Sequence, residues 1–183
     1  MNVNEIMNFF NNAKKEWFRL QLLNEYVVEQ EKDAFLAYKR GERPRSSKGS
    51  ESWRKFIEDK TNNGIKYITI HVVDLPISEY MGFGIQTVYE VTKLIGQEVF
   101  FVERSKVKSL ISGVKDYWMF DNNTVIYADY DESSHFIEFK NPIYQKDVVT
   151  TLVTLKEELL KKAIPLDEFI KEERTGFKEH KLL

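Results

Sequence analysis

Four residues in the C-terminal half have the types that hold a hard cation: Asp121, Asp129, Asp131 and His135. Mg²⁺ and Ca²⁺ take oxygen ligands. Asp129 and Asp131 alternate, so they share one strand face, and His135 could join them across a hairpin. That set would suit a metal-dependent phosphodiesterase or nuclease. The plainer reading is turn chemistry, because Asp bonds its own backbone and no spacing here matches a known metal loop. A second group is basic. Lys39, Arg40, Arg43, Arg45, Lys48, Arg54 and Lys55 stand against only Glu42 and Glu51, beside Tyr38 and Trp53. Such a stretch can contact phosphates and stack on a base. Its ordinary alternative is a solvated loop between two helices. His71 lies in an apolar run, where a hydrogen-bonded core histidine is the common reading. A nucleophile elbow and a Gly-rich phosphate loop are both absent, and Gly82-Phe83-Gly84 lacks the third glycine of a nucleotide fingerprint. Tyr117, Trp118 and Phe120 read as strand core rather than as a ligand cage.

Composition narrows these chemistries. The chain has 183 residues and no cysteine, which excludes disulfides, thiolate metal sites and cysteine nucleophiles. Three scattered histidines leave little for a site built from several of them. A formal charge of −2 argues against a surface made wholly for nucleic acid. It conceals a local asymmetry, basic around residues 39–55 and acidic around 121–138. Hydrophobic residues make up 42%, enough for a real core. The N-terminal residues lack the charged and apolar regions of a signal peptide, and no run approaches the length of a membrane span. The expected location is the cytoplasm.

The elements that must position these residues follow from periodicity. Val3 to Ala13 has helical spacing, and Phe18, Leu20 and Leu22 alternate with Arg19 and Gln21 as in a short strand. Glu29 to Arg40 is helix-forming, with Gly41 as its stop, and residues 41–49 read as a loop. Ser50 is placed to cap the next helix, which Asn62-Asn63-Gly64 ends. Ile65 to Val73 is apolar on both faces, as in a covered central strand. A helix from Ser78 to Ile95 and a strand from Gln97 to Glu103 complete a βαβ unit. Arg104 to Ile111 reads as a short helix. Asp116 to Phe120 and Thr124 to Tyr130 form a hairpin around Asp121-Asn122-Asn123, and His135 to Lys140 adds a third strand. Asn141-Pro142 opens a long helix with Tyr144, Val148, Leu152, Leu155, Leu159 and Ala163 inward, and Pro165 ends it. The expectation is an α/β (α+β) fold, with a small mixed sheet flanked by helices. It divides into a mainly helical portion (1–64), an α/β core (65–170) and a charged tail (171–183), treated as one domain.

The order of motifs resembles the bacterial family called domain of unknown function 6879. The matching pieces are Trp17-Phe18-Arg19-Leu20-Gln21, Tyr26, Phe35 to Gly41 with Pro44, and Trp53. The strand-turn from Ile70 to Tyr80 is the most distinctive. Gly96-Gln97-Glu98, Arg104, the run Asp116 to Asp121 and Tyr130-Asp131 follow. The family tends to carry charges where this chain has Gly82 and Gly84, and a basic strand where it has Ile68, Thr69 and His71. The resemblance implies a bacterial cytosolic protein often kept beside helix-turn-helix regulators. It implies no reaction, since the family has none assigned. The order also looks like half of a phospholipase D-type fold, without its His-x-Lys signature.

The leading expectation is a non-enzymatic regulatory or interaction domain of a bacterial transcriptional or defence module. It would bind a partner protein, such as a helix-turn-helix regulator, or a small ligand, and would need no cofactor or membrane. Its expected site is the cleft at the carboxyl ends of the parallel strands, where Asp74, Ser78, Glu79 and Tyr80 meet Arg104, with Arg19 and Trp118 lining it. Two alternatives remain open: the metal-dependent enzyme above, and a nucleic-acid-binding protein through residues 39–55.

Overall fold

The computed structural model describes residues 1–42 and 50–172. A seven-stranded mixed sheet forms the centre, in the order β6-β5-β4-β1-β2-β3-β7. The strands are β1 (Glu16–Gln21), β2 (Lys66–Val73), β3 (Gln97–Glu103), β4 (Tyr117–Phe120), β5 (Thr124–Tyr130), β6 (Phe136–Phe139) and β7 (Ile164–Pro165). β1, β2 and β3 run parallel, and the other pairings are antiparallel. The βαβ unit and the hairpin stand where the alternation of apolar residues places them. Asp121 and Asn122 take left-handed backbone at the hairpin turn (φ 52° and 55°), which Asp and Asn tolerate better than other side chains.

The helices are α1 (Val3–Asn12), α2 (Lys32–Lys39), α3 (Ser50–Asn62), α4 (Glu79–Gly84), α5 (Glu90–Thr92), α6 (Arg104–Val107), α7 (Lys146–Leu160) and α8 (Leu166–Glu172). Asn2 accepts from the Glu5 amide and Glu5 accepts from the Asn2 amide, so α1 starts in a capping box. α3 ends as its Asn-Asn-Gly run suggests, with Gly64 left-handed at φ 92°. The capping role expected of the Ser50 side chain lies outside the described part.

Three expectations need correction. The segment after β2 is not one continuous helix. It runs α4, a wide π turn over Ile85–Tyr89, α5, and a tight turn over Lys93–Ile95. The wide turn leaves Tyr89 buried and Val88 half-buried. Nor does Asn141-Pro142 open a helix. Ile143 pairs with Val125 as an extra antiparallel bridge (2.8 and 3.0 Å), which delays α7 to Lys146. The buried stripe of α7 is therefore Val149, Leu152, Leu155, Lys156 and Leu159, while Tyr144 is 62% exposed. Finally, Pro165 does not simply end a helix. Ile164–Pro165 closes the sheet edge against β3, and α8 follows, with Phe169 stacked on Phe101 at 4.3 Å.

Helices cover both faces. On one, α7 packs over Phe18, Leu20, Ile70, Val72 and Met119 in the largest core cluster. On the other face there are two separate clusters. Phe10, Trp17, Ile57, Tyr67, Trp118 and Phe120 join α1 and α3 to the sheet. Val73, Met81, Ile85, Tyr89, Phe101 and Phe169 join α4 and α8 to it. No helix among the described residues is long and apolar enough to cross a membrane.

Candidate functional site: a polar cavity on the covered sheet face

Between those two apolar clusters the sheet face is polar. Side chains alternate along a strand, so β1 sends Arg19 and Gln21 to the same face as Trp17, and β2 sends Thr69 and His71 there with Tyr67. Arg19 pairs with Thr69 and Gln21 with His71 across β1 and β2, while Gln97 lies opposite Tyr67 on β3. Five polar side chains thus sit side by side beneath a helical layer that would ordinarily call for apolar ones. Arg19, Gln21, His71 and Gln97 floor a cavity of about 310 Å³, which Tyr26, Tyr67, Tyr80, Tyr89 and Tyr130 wall together with Glu31, while Thr69 lies beneath it, bonded to Gln97.

Protein partners occupy much of this polar surface. His71 is buried; its Nε2 donates to the Leu23 carbonyl (2.8 Å) and its Nδ1 lies 3.2 Å from the Tyr89 hydroxyl. Burial lowers its pKa to about 3, so the ring is neutral. The Tyr89 hydroxyl donates to Gln21 Oε1 at 2.7 Å, and Gln97 Nε2 donates to Thr69 Oγ1 at 2.8 Å. Behind the wall, Asp116 accepts from the Tyr26 hydroxyl (2.5 Å) and the Leu22 amide (2.9 Å). Burial raises its pKa even so.

Arg19 is different. Its guanidinium sits 4.9 Å from the Trp118 ring centroid and reaches the hydroxyls of Tyr67 and Tyr130. Burial opposes its charge, but the field of Tyr130, Tyr67, Tyr26 and Tyr89 raises its pKa above the ordinary arginine value. It is a guanidinium at every working pH. Among the described residues no carboxylate lies within ion-pair distance of it. A cation withdrawn from water with no counterion among the described residues is costly, and a guanidinium exposed to a cavity has the chemistry to hold an anion.

The strand-end residues expected to form a cleft are brought together, but they bond to one another. Arg104 Nε donates to Asp74 Oδ2 (3.1 Å), and the guanidinium also holds the carbonyls of Leu22 and Val72. Asn24 bonds Asp74 in both directions, and Ser78 donates to the Asn24 carbonyl (2.9 Å) while capping α4. This cluster ties the loop after β1 to the loop after β2. Glu79 is exposed at the start of α4. Of that group, Arg19 and Tyr80 line the cavity and Trp118 supports Arg19.

The four candidate cation ligands are not gathered. Asp121 accepts from the amides of Lys14, Lys15 and Glu16. Asp129 pairs with Lys115 and Lys140. Asp131 caps its own turn through the Ser133 and His135 amides, with the His135 ring beside it at 3.3 Å. Among the described residues no three His or acidic groups are arranged to hold a metal ion. Of the basic stretch, Arg43, Arg45 and Lys48 lie outside the described residues. Lys39 lies over the Phe35 ring, Arg40 pairs with Glu42 and Lys55 with Glu51; Arg54 stands on α3.

Sequence reasoning passed over Gln21, Glu31, Tyr67, Thr69, Tyr89 and Gln97. The signal for most of them was present: polar side chains at alternate positions of strands covered on both faces. Tyr89 carried none, because the wide turn that aims it inward cannot be read from helical periodicity.

A family model fits this chain over residues 4–171, that of a domain of unknown function, DUF6879. The chain belongs to that family. No curated protein matches it.

Proposed function

We propose that this chain is a small-molecule-binding domain that acts by binding rather than by turnover, with the cavity around Arg19 as its ligand site. In that role it would serve as the regulatory or interaction part of a bacterial transcriptional or defence module. The observation that carries this reading is the guanidinium of Arg19. It is charged, faces a metabolite-sized cavity, and has no carboxylate partner among the described residues. Hydroxyls and aromatic rings surround it, giving donors for an anionic head and flat surface for an organic body. Binding is favoured over catalysis because the two buried groups suited to acid–base work, His71 and Asp116, are engaged. His71 is neutral with Nε2 bonded to the backbone, and Asp116 is held by Tyr26 and Leu22.

The test is a thermal-shift screen of the full chain against small carboxylates, phosphates and neutral compounds, repeated on Arg19→Met. A ligand at a hundred times its Kd adds about 2.7 kcal/mol to stability. Compounds carrying a carboxylate should raise the wild-type melting temperature and leave the variant unmoved. Equal shifts in both proteins would overturn the reading.

A further inference from the structure

The cavity contains a second charged group that has no ion-pair partner among the described residues. Glu31, at the end of the turn before α2, lines the same space and is half-buried. Tyr80 donates to its Oε2 at 2.9 Å, and no cation among the described residues pairs with it. Burial raises the pKa of Glu31, while the Tyr80 bond and the field of Arg19 pull it down. Arg19 and Glu31 thus sense each other, yet they form no ion pair. Each is tethered to its own wall, Arg19 by Trp118, Tyr67 and Tyr130, and Glu31 by Tyr80.

Resting on the reading of this cavity as a ligand site, we propose that its occupant is a zwitterion of amino-acid type. Arg19 takes the carboxylate, Glu31 takes the ammonium, and Met81, Val88 and Phe136 surround the apolar body. Charge accounting separates this class from the others. A simple carboxylate would neutralise Arg19 and leave Glu31 facing an anion. A phosphate dianion would bring two charges to one guanidinium and be repelled by Glu31. A zwitterion satisfies both walls and leaves the net charge of the cavity unchanged. The volume, at the lower end for small-molecule sites, suits one residue-sized molecule and not a nucleotide.

The experiment is calorimetric titration of the full chain at neutral pH with L-phenylalanine and L-leucine. Two control sets accompany them: hydrocinnamate and isocaproate, which lack the ammonium, and phenethylamine and isoamylamine, which lack the carboxylate. At least one amino acid should bind about tenfold or more tighter than both of its truncated forms. Glu31→Gln should abolish its advantage over the acid, and Arg19→Met its advantage over the amine. If the truncated acids bind wild type as tightly as the amino acids, the zwitterion is wrong while the anion-binding cavity stands. If the acids and the amino acids all fail to bind, both are wrong. The comparison of probes on wild type needs no variant to fold.

Discussion

The guanidinium of Arg19 lies 4.9 Å from the centroid of the Trp118 ring, the residue directly opposite it in the β1–β4 pairing. Cation and indole are thus brought together by strand register alone, because paired residues project from the same face. Contact with an aromatic face stabilises a desolvated cation by roughly 2 kcal/mol. Desolvation works against this contact and against the surrounding tyrosines, so an apolar side chain of similar length loses little at this position. Arg19→Met should therefore be as stable as wild type, or about 1 kcal/mol more stable, in urea unfolding without ligand. A loss well beyond 1 kcal/mol would make Arg19 a structural staple instead.

Gly84 gives access to the cavity from the helical side. It is helical, it lines the space, and a Cβ built on it meets nothing within 4 Å. Gly84→Ala should stabilise α4 by up to about 1 kcal/mol. Gly84→Leu should fold and occupy the cavity, abolishing binding of any compound that stabilises wild type. Full retention of binding in the leucine variant would place the ligand elsewhere.

His71 makes stability depend on pH with a definite sign. Its folded pKa of about 3 lies below the ordinary value of 6.5, so below that value the unfolded chain takes a proton that the native state refuses. Stability is complete above about pH 6.5 and falls as acid is added, by at most about 1.4 kcal/mol per pH unit. The fall continues until the native ring also protonates. Urea unfolding of wild type and His71→Gln at pH 7, 6 and 5 should show the difference between them changing with that slope. Parallel curves would mean that the ring is not buried neutral.

Gly96 carries a conformational requirement as well as a packing one. It ends the helical crossover at φ 95°, and an added Cβ would sit 2.7 Å from Thr61 Cβ. Thr61 has little room to yield, since its hydroxyl donates to the Ile95 carbonyl at 2.6 Å, with the Ile57 carbonyl also in reach at 3.0 Å. Gly96→Ala should cost more than about 1 kcal/mol and lower the melting temperature, while Gly84→Ala does not.

The βαβ unit, the hairpin at Asp121-Asn122 and the stop at Gly64 were all legible in the sequence, because each rests on local periodicity or on backbone preference. The start of α7 was not. Asn141-Pro142 is a good helix opening taken locally, but Ile143 gains a partner in Val125, more than a dozen residues away, and that pairing wins. The site was half legible. Arg19, Tyr80 and Trp118 were singled out, yet assigned to a strand-end cleft whose charged groups, Asp74 and Arg104, pair with each other. The remaining polar residues acquire meaning only when register sets Arg19 beside Thr69 and Gln21 beside His71. Strand order and pairing are long-range facts that no single segment carries.

The proposed function depends most directly on Arg19 as the group that would receive the ligand. The decisive measurement is solution NMR of the arginine side-chain Nε–H groups, assigned by substitution, while a compound that stabilises the protein is titrated in. The Arg19 resonance should shift progressively and saturate with the binding curve. If Arg40, Arg54 or Arg104 shifts instead and Arg19 stays still, the cavity is not the site.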